Sequence, residues 1–380
     1  MLDCPLAMTP YRHRVVLLVI AALAGCASEP VTRPANEVSP SQARAFIATL
    51  LPPAATDRPG WATDIYAAFA AMNIPATPQN LCAAIAVTEQ ESSFRADPAV
   101  PNLPTITWDE IDRRAERLGV PKLVVRAALG LSSPTGKSYS DRIDAAKTER
   151  ELSEIFEDFI GMVPLGKTFF AGWNPVRTGG PMQVSIEFAQ AHAAERTYPY
   201  PVSGSLRHEV FTRRGGMYFG IAHLLDYPAG YDKPIYRFAD FNAGRYASRN
   251  AALQNAISLV SGIPLALDGD LVRHDGDSSK GLGATERAAR VLADRLDLNE
   301  TQVRRALEQG DSETLERTSL YQRVFALADK LEGRRLPRAV LPRIALQGPK
   351  IRRKLTTEWF AQRVDERWRR CMARAAADAG

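Results

Sequence analysis

Apolar residues recur at three- and four-residue spacing along most of the chain, which is the period of an α-helix. No sustained alternation of apolar and polar residues competes with this pattern, although short strands near 204–210 are compatible with the sequence. The fold is therefore predicted to be mainly α. The predicted helices cover 41–51, 62–72, 78–91, 108–118, 122–129, 141–162, 184–192, 218–225, 247–260, 286–295, 300–308, 315–331 and 356–376.

The helix predicted over 78–91 is unusually apolar. Thr77 is a favourable N-cap and Pro78 suits the first turn of a helix. The residues that follow are mostly Ala, Leu, Ile and Val, so we expect this helix to be buried nearly all round. It ends at Glu91, whose carboxyl group would then lie at the edge of an apolar environment.

The first 26 residues have the pattern of an export signal. A basic head at 12–14 precedes an apolar run at 15–24 that is too short to span a bilayer. The Leu-Ala-Gly-Cys sequence that ends at Cys26 resembles a lipobox, in which the cysteine receives diacylglycerol. We predict a lipoprotein signal peptide over 1–25 and a lipidated Cys26 with its tether over 26–40. The alternative is an ordinary signal peptide with a chance cysteine.

Export narrows the choice of compartment and partners. Ala27 follows the cysteine where lipoproteins retained at the inner membrane carry Asp, so we expect anchoring at the outer membrane, facing the periplasm. Nucleic acid is not an expected partner of an exported protein.

Residues 334–370 contain twelve Lys or Arg against three acidic residues, which indicates a solvated basic face or a site for anionic glycan or lipid. Cys82 and Cys371 either pair in the oxidising periplasm or remain two buried thiols.

Three short motifs follow one another in the mature chain. The first is Gln-Glu-Ser-Ser-Phe at 90–94, at the end of the apolar helix. The second is Gly-Pro-Met-Gln-Val at 180–184, which we interpret as a helix start. The third is Phe-Asn-Ala-Gly at 241–244, interpreted as a turn that opens the helix from Ala247. Between the last two, 216–225 has the small and apolar residues of a core helix.

Together and in this order, the motifs resemble those of lysozyme-like soluble lytic transglycosylases, which carry Glu-Ser, then Gly-Leu-Met-Gln, then Ala-Tyr-Asn-Ala-Gly. The resemblance covers 78–94 and 172–262, and the chain also looks like a member of an uncharacterised proteobacterial lipoprotein family. It implies a lysozyme-like domain over 41–262 with a helical insertion at about 100–173. A basic helical region at 263–380 has no counterpart in that family.

The resemblance implies cleavage of the β-1,4 bond between N-acetylmuramic acid and N-acetylglucosamine in peptidoglycan. A single Glu acts as acid and then base in that family, and the product carries a 1,6-anhydro end. Glu91 lies next to Ser92 and so matches the catalytic carboxylate of that family. Desolvation and the negative end of the helix dipole are also expected to favour its protonated form. Glu89 is the rival, but at 100° per residue the two side chains point about 200° apart.

The remaining motif residues are expected to bind the glycan. Ser92 would orient the carboxylate or only cap the helix end. Met182 and Gln183 would line the cleft, with core packing as the alternative for Met182. Asn242 would lie near Glu91 or bond the backbone of its own turn, and Phe241 stands where the family carries a Tyr.

Two departures keep other functions open. Glu91 and Met182 are 91 residues apart (182 minus 91), whereas the family keeps these motifs close, and Phe241 lacks the family's hydroxyl group. One alternative is a non-catalytic lipoprotein that binds peptidoglycan or acts as a scaffold. Another is a hydrolytic muramidase with Asp97 or Asp240 as a second acid. No cofactor is expected, and no metal, because His and Cys do not occur at metal-ligand spacing.

Overall fold

The computed structural model of the protein describes residues 39–162, 174–273, 281–346 and 355–378. Most of these residues are in helices. The fold is mainly α, as the periodicity predicts. The predicted signal peptide and Cys26 lie outside the described residues. The α-helices, in chain order, are α1 Pro40–Leu50, α2 Arg58–Ala71, α3 Pro78–Ser92, α4 Leu103–Arg117, α5 Lys122–Leu129, α6 Tyr139–Ala145, α7 Glu149–Met162, α8 Ile186–Glu195, α9 Leu206–Val210, α10 Arg213–Leu225, α11 Ile235–Ala243, α12 Ala247–Ser261, α13 Ala284–Val291, α14 Glu300–Leu307, α15 Ser319–Glu332 and α16 Thr357–Asp378.

Short strands and 3-10 turns complete the described part of the chain. Strands β1 (Thr178–Gly179) and β2 (Val184–Ser185) form an antiparallel pair in which Gly179 faces Val184. Strands β3 (Ala345–Leu346) and β4 (Leu355–Thr356) form a second antiparallel pair. The 3-10 helices cover Asp294–Leu296 and Glu313–Arg317. None of the helices described is both long and apolar enough to cross a bilayer.

The observed local structure departs from the predicted one in three places. The helix predicted over 141–162 is two helices, because Ala146 is extended and Thr148 pairs with Ala99 in an isolated bridge. The region near 204–210, where strands were compatible with the sequence, forms the short helix α9 with Ser205 as its N-cap. Helix α11 was not predicted, and it carries Phe241 and Asn242.

The described residues from Ser41 onward form one compact unit with two hydrophobic clusters. The first cluster surrounds α3, which is buried from Leu81 to Thr88, and includes side chains of α1, α2, α10, α11 and α16. The second cluster is built by α12 to α15. Helix α16 therefore returns from the end of the chain to pack on the first cluster.

A disulfide joins α3 to α16. Cys82 and Cys371 are bonded, with 5.5 Å between their Cα atoms and 289 residues between them in sequence. The indole Nε1 of Trp368 donates to the carbonyl oxygen of Gln79 at 3.1 Å, one turn away on α3. Of the two alternatives for these cysteines, the disulfide is the one that the structure shows.

Candidate functional site

Helix α10 contacts the segments that carry the first and third motifs. The Thr88 hydroxyl oxygen, on α3 one turn before Ser92, lies 3.6 Å from the sulfur of Met217. The rings of His223 and Phe241 are 5.1 Å apart between centroids. Positions 217 and 223 are separated by about 9 Å along the axis of α10 and by about 120° around it, so the two contacts are made on different sides of the helix.

The second motif meets α10 at Gly216 and Gly220. A Cβ atom on Gly216 would stand 2.3 Å from Cδ of Pro181, and one on Gly220 would stand 2.5 Å from the sulfur of Met182. Both distances are too short for any side chain, so the glycines of α10 permit the close approach of the motif. The second motif, the third motif and the helix that ends in the first motif therefore all contact α10.

The second motif forms a hairpin turn between β1 and β2, and the prediction of a helix start is wrong. The backbone N–H of Gln183 donates to the carbonyl oxygen of Gly180 at 3.1 Å. Gly180 has φ +72°, and a Cβ there would lie 2.1 Å from the carbonyl oxygen of Val210. Helix α8 begins after the turn, at Ile186, with Ser185 as its N-cap.

Left-handed backbone is concentrated at the motifs. Ser93 (φ 50°) and Phe94 (φ 59°) follow Glu91 closely, Gln183 has φ 51°, and Tyr246 has φ 65° just after the third motif. These are four of the eight non-glycine residues with positive φ in the part of the chain that the structure describes. Such conformations cost roughly 1–3 kcal/mol each and cluster at functional sites. Phe94 is held by edge-to-face packing on Trp61 at 5.2 Å.

Glu91 and Ser92 form the last turn of α3. Glu91 is half-buried, whereas Ser92 is buried and its hydroxyl donates to the carbonyl oxygen of Thr88 at 3.1 Å. This bond corresponds to the alternative in which Ser92 secures the helix end. A buried hydroxyl in this position supports the backbone next to Glu91 and does not contact a glycan.

Glu89 faces α16. Its Oε1 accepts a hydrogen bond from Nη2 of Arg370 at 3.2 Å and lies 3.7 Å from Nε of Arg367. These ion pairs fix Glu89 on the side of α3 that also carries Cys82. Glu91 lies about 200° away around the helix, on a side of α3 that faces away from these ion pairs.

The second motif places its two glycan-binding candidates differently. Met182 is fully buried against Gly220, so it packs the core and does not line a cleft. Gln183 is half-buried; its Nε2 donates to the carbonyl oxygen of Gly180 at 3.3 Å and its Oε1 accepts from the Thr178 hydroxyl at 3.4 Å. Both contacts are long, so the Gln183 amide keeps capacity for a ligand.

The third motif ends α11, and the prediction that it is a turn opening α12 is wrong. Phe241 is half-buried against His223, and its carbonyl oxygen lies 3.3 Å from the His223 Nε2. Asn242 is exposed, and its Oδ1 accepts a hydrogen bond from the hydroxyl of Thr357 at 3.1 Å. Asn242 is thus in contact with the start of α16.

His223 is a residue of this region that the sequence reasoning missed. Burial, together with the charge of Arg245, lowers its pKa to about 4, so the ring is neutral at neutral pH. When Nε2 donates to Phe241, the buried Nδ1 is an acceptor, and it has no partner among the described residues. The ring also packs on Phe188 at 4.7 Å. A histidine inside the small and apolar stretch 216–225 was the available signal.

Asp240, one candidate second acid, is fully buried and has a structural role. Its carboxylate accepts from the hydroxyls of Tyr231 at 2.6 Å and Tyr227 at 3.1 Å. It also accepts from the backbone N–H groups of Tyr246 at 3.0 Å and Ser248 at 2.7 Å, at the start of α12. Burial raises the pKa of Asp240. Since it is enclosed by these donors, it cannot contact a substrate.

Asp97, the other candidate, lines an open cavity of about 630 Å³. It lies 3.0 Å from Nε of Arg150, and burial raises the pKa of its carboxyl group. The cavity begins three residues after Glu91 and has an indole, acids and bases in its wall, which suits a polar, hydroxyl-rich ligand. Its lining residues are Thr56, Asp57, Trp61, Asp64, Phe94, Arg95, Ala96, Asp97, Thr212, Arg213 and Arg214.

Among the residues described, no group of three His, Cys, Asp or Glu side chains is arranged to hold a metal ion. The side chains present at the motifs and in the cavity can supply acid–base chemistry from carboxylates and hydrogen bonds from amides and guanidinium groups.

Comparisons with known proteins identify relatives without assigning them an activity. The model of a family described as "Protein of unknown function (DUF1615)" matches residues 54–374. The uncharacterized protein YaiW of Escherichia coli (strain K12) is 52% identical over 356 residues, which cover 94% of this chain and 96% of that protein. No solved structure matches the chain.

Proposed function

The chain belongs to the DUF1615 family, and we propose that it is a lysozyme-like lytic transglycosylase with Glu91 as its acid and base. The substrate is the β-1,4 bond between N-acetylmuramic acid and N-acetylglucosamine in peptidoglycan. The observation that carries the proposal is that α10 contacts the second motif, the third motif and the helix that ends in the first motif. Strained backbone at each motif and the 630 Å³ cavity next to the end of α3 support it.

The position of Glu91 suits a group that first gives and then takes a proton. It is half-buried at the C-terminal end of a helix whose body is fully buried. A partly buried position at the C-terminal end of a helix is an environment that suits a general acid. A neutral carboxylic acid can protonate the bridging oxygen as the glycosidic bond breaks.

The reaction conserves all atoms of the substrate. Glu91 gives its proton to the oxygen that leaves with N-acetylglucosamine, while the N-acetyl group of the muramic acid stabilises C1. The Glu91 carboxylate then takes the proton of the 6-hydroxyl as that oxygen bonds to C1. One glycosidic bond breaks, one 1,6-anhydro bond forms, and no water is consumed. This single-carboxylate route agrees with the burial of Asp240.

Two amide side chains and the cavity would hold the glycan. The Gln183 amide can bond N-acetyl or hydroxyl groups, because its contacts within the turn are long. The exposed Asn242 can donate through its amide nitrogen while its oxygen accepts from Thr357. The cavity lined by Trp61 and Arg95 would take sugar units beyond the bond that is cleaved.

Mass spectrometry of muropeptides tests the proposal. Purified sacculi are incubated with the chain from Ala27 onward, which keeps the whole compact unit, and with its Glu91→Gln variant. Release of 1,6-anhydro fragments by the unmodified protein alone is the expected result. Fragments that are heavier by one water would indicate a hydrolytic muramidase with Asp97 as the second acid.

A non-catalytic peptidoglycan-binding or scaffolding lipoprotein is the second candidate. Phe241 favours it, because no hydroxyl is present at that position of the motif. The burial of Ser92 and Met182 also favours it, since both were expected at the glycan. Binding of sacculi without release of fragments would select this function and reject the enzyme.

The location is a separate proposal that depends on Cys26. The lipobox-like sequence supports a lipid anchor in the cell envelope, at the outer membrane and facing the periplasm. Replacement Cys26→Ser is expected to move the protein from the membrane fraction to the soluble periplasmic fraction. An unchanged distribution would contradict lipidation at this residue.

A further inference from the structure

Positive charge is concentrated where α1, α2, α3 and α16 meet. Arg58, Arg367, Arg370 and Arg374 lie there, and we call them the arginine cluster. Glu89 is their shared carboxylate: its Oε1 accepts from Arg370 at 3.2 Å and lies 3.7 Å from Nε of Arg367. The pKa of Arg374 is lowered by burial first, and also by the charges of Arg370 and Arg58. Three guanidinium groups thus share one carboxylate, and Arg58 is a neighbour of one of them, Arg374.

Two members of the cluster are held in place by the end of α1. Arg58 donates from Nη2 to the carbonyl oxygen of Ala48, and Arg374 donates from Nε to that of Leu50 at 2.9 Å. The last carbonyls of a helix lack partners within the helix, and basic side chains commonly satisfy them. The fold therefore orients these arginines through neutral carbonyl oxygens, which do not balance their charge.

The cluster has more hydrogen-bond donors than acceptors. Nε of Arg58, Nε of Arg367 and Nη2 of Arg374 are buried and have no acceptor among the described residues. They are three of the seven buried side-chain atoms in this condition across the described ranges. A buried guanidinium nitrogen without an acceptor is costly, and an anion with several oxygens would satisfy it.

Two further charged residues of α16 near the cluster have partners of their own. Asp378 accepts a hydrogen bond from the Thr49 hydroxyl at 3.2 Å. Arg363, one turn from Arg367 on α16, is paired with Glu366 at 2.7 Å. The Arg370 side chain is 55% exposed and that of Arg367 is 18% exposed, so the cluster is open to solvent at Arg370 and becomes buried behind it. A ligand would therefore meet Arg370 first.

We propose that the arginine cluster binds a phosphate group. Guanidinium groups match phosphate oxygens in geometry and stay charged at neutral pH, and the cluster holds a surplus of three positive charges over Glu89. The phosphate can belong to a phospholipid headgroup or be free in solution, and the chemistry of recognition is the same. The cluster lies at the end of α1, about 16 Å along that helix from the predicted tether. The site does not depend on the proposed catalytic activity.

Two measurements distinguish the sources of phosphate. The chain from Ala27 onward, which lacks the lipidated cysteine, is titrated with inorganic phosphate by calorimetry. It is also sedimented with phosphatidylcholine vesicles that do or do not contain phosphatidylglycerol. Heat of binding with inorganic phosphate but no sedimentation supports a site for free phosphate. Sedimentation that requires phosphatidylglycerol supports a lipid site.

Three variants test whether the cluster is responsible. Replacement of Arg367 and Arg370 together by Gln is expected to weaken binding roughly tenfold or more, because two charged donors are lost. Arg363→Gln is the matched control on the same helix, and it should bind within about twofold of the unmodified protein, because its charge is already balanced. Glu89→Gln should strengthen binding, because it removes the negative charge nearest the ligand.

The Glu89→Gln result separates a binding site from a purely structural cluster. If the arginines only stabilise the fold, this variant lowers the thermal midpoint and leaves phosphate affinity unimproved. Absence of binding in both assays would overturn the proposal. Binding by the double variant equal to that of the unmodified protein would also overturn it, provided that circular dichroism shows both to be folded.

Discussion

The two sides of helix α3 are fixed by different kinds of interaction. The side with Cys82 and Glu89 meets α16 through a disulfide and ion pairs. The side with Thr88 meets α10, where contacts depend on close packing against Met217 and on the glycines of that helix. Positions 82 and 89 are two turns apart and share a side, whereas Glu91 lies about 200° from Glu89.

Helix α3 thus carries residues that stabilise the fold on one side and the proposed catalytic residue on another. On the α16 side, a covalent bond and charges hold the helix in place, so its position does not depend on the motifs. On the α10 side, the contacts depend on glycines that permit close packing and on residues with left-handed backbone. The side chains proposed to bind a ligand there are the half-buried Gln183 and the exposed Asn242. Two glutamates of similar sequence context therefore have different environments.

The largest expected effect on activity comes from replacing one of the two glutamates, Glu91 or Glu89, by Gln. Glu91→Gln should lower the rate of 1,6-anhydro release by roughly 10²–10⁴-fold, the usual contribution of a positioned acid and base. Glu89→Gln should retain activity within a few-fold, because Glu89 is bound to α16. Release rates from sacculi measure both. A folded Glu89→Gln protein that is as inactive as Glu91→Gln would break the comparison.

The disulfide should account for the next largest effect. Replacement of Cys82 and Cys371 together by Ser is expected to lower the free energy of unfolding by about 2–5 kcal/mol, because the bond closes a very long loop. Guanidinium unfolding measures the change. The unmodified protein under a reductant should match the double variant. A loss below about 0.5 kcal/mol would mean that ion pairs alone hold α16 on α3.

The sequence contains the information for the longer helices and for the geometry of α3. Its apolar run, Thr77 cap and terminal Glu91 all follow from local composition, and so does the angle between Glu89 and Glu91. The partners of Glu89 do not, because Arg370 is 281 residues away in sequence. No local pattern shows which helix will cover which side of α3.

The two motif regions that were predicted wrongly depend on distant contacts. Helix α11 has only nine residues and no side-chain bond at its N-cap, so its stability comes from packing on α10, α12 and α16. The turn that contains Pro181 reads locally as a helix start, yet Gly216 of α10 decides its path. Tertiary packing outweighs local preference at both places.

The α10 side should also show a dependence of stability on pH. The pKa of His223 falls from 6.5 to about 4 in the fold, so the unfolded chain binds its proton first as pH falls. Stability present above pH 6.5 is therefore lost between about pH 6.5 and 4. Between pH 7 and 4.5, the free energy of unfolding of the unmodified protein should fall by about 1–3 kcal/mol more than that of the His223→Gln variant. Urea unfolding at the two pH values measures this difference.

A matched variant shows whether the pH effect belongs to His223. His208→Gln changes a histidine on α9 that is 42% exposed and should follow the unmodified protein. If His223→Gln and the unmodified protein lose stability in parallel, the neutral buried histidine is not the source. The α10 side would then be no more sensitive to acid than the rest of the molecule.

The smallest effect is expected at Asn242, where α11 meets α16. Asn242→Ala removes the hydrogen bond with Thr357 and should lower the free energy of unfolding by about 0.5–1.5 kcal/mol. Thr357→Val removes the same bond from the other partner, which is fully buried and cannot contact a glycan. If Asn242 binds substrate, only Asn242→Ala should raise KM in the sacculus assay, by a few-fold. Equal activity in the two variants would place Asn242 among the residues that only join α11 to α16.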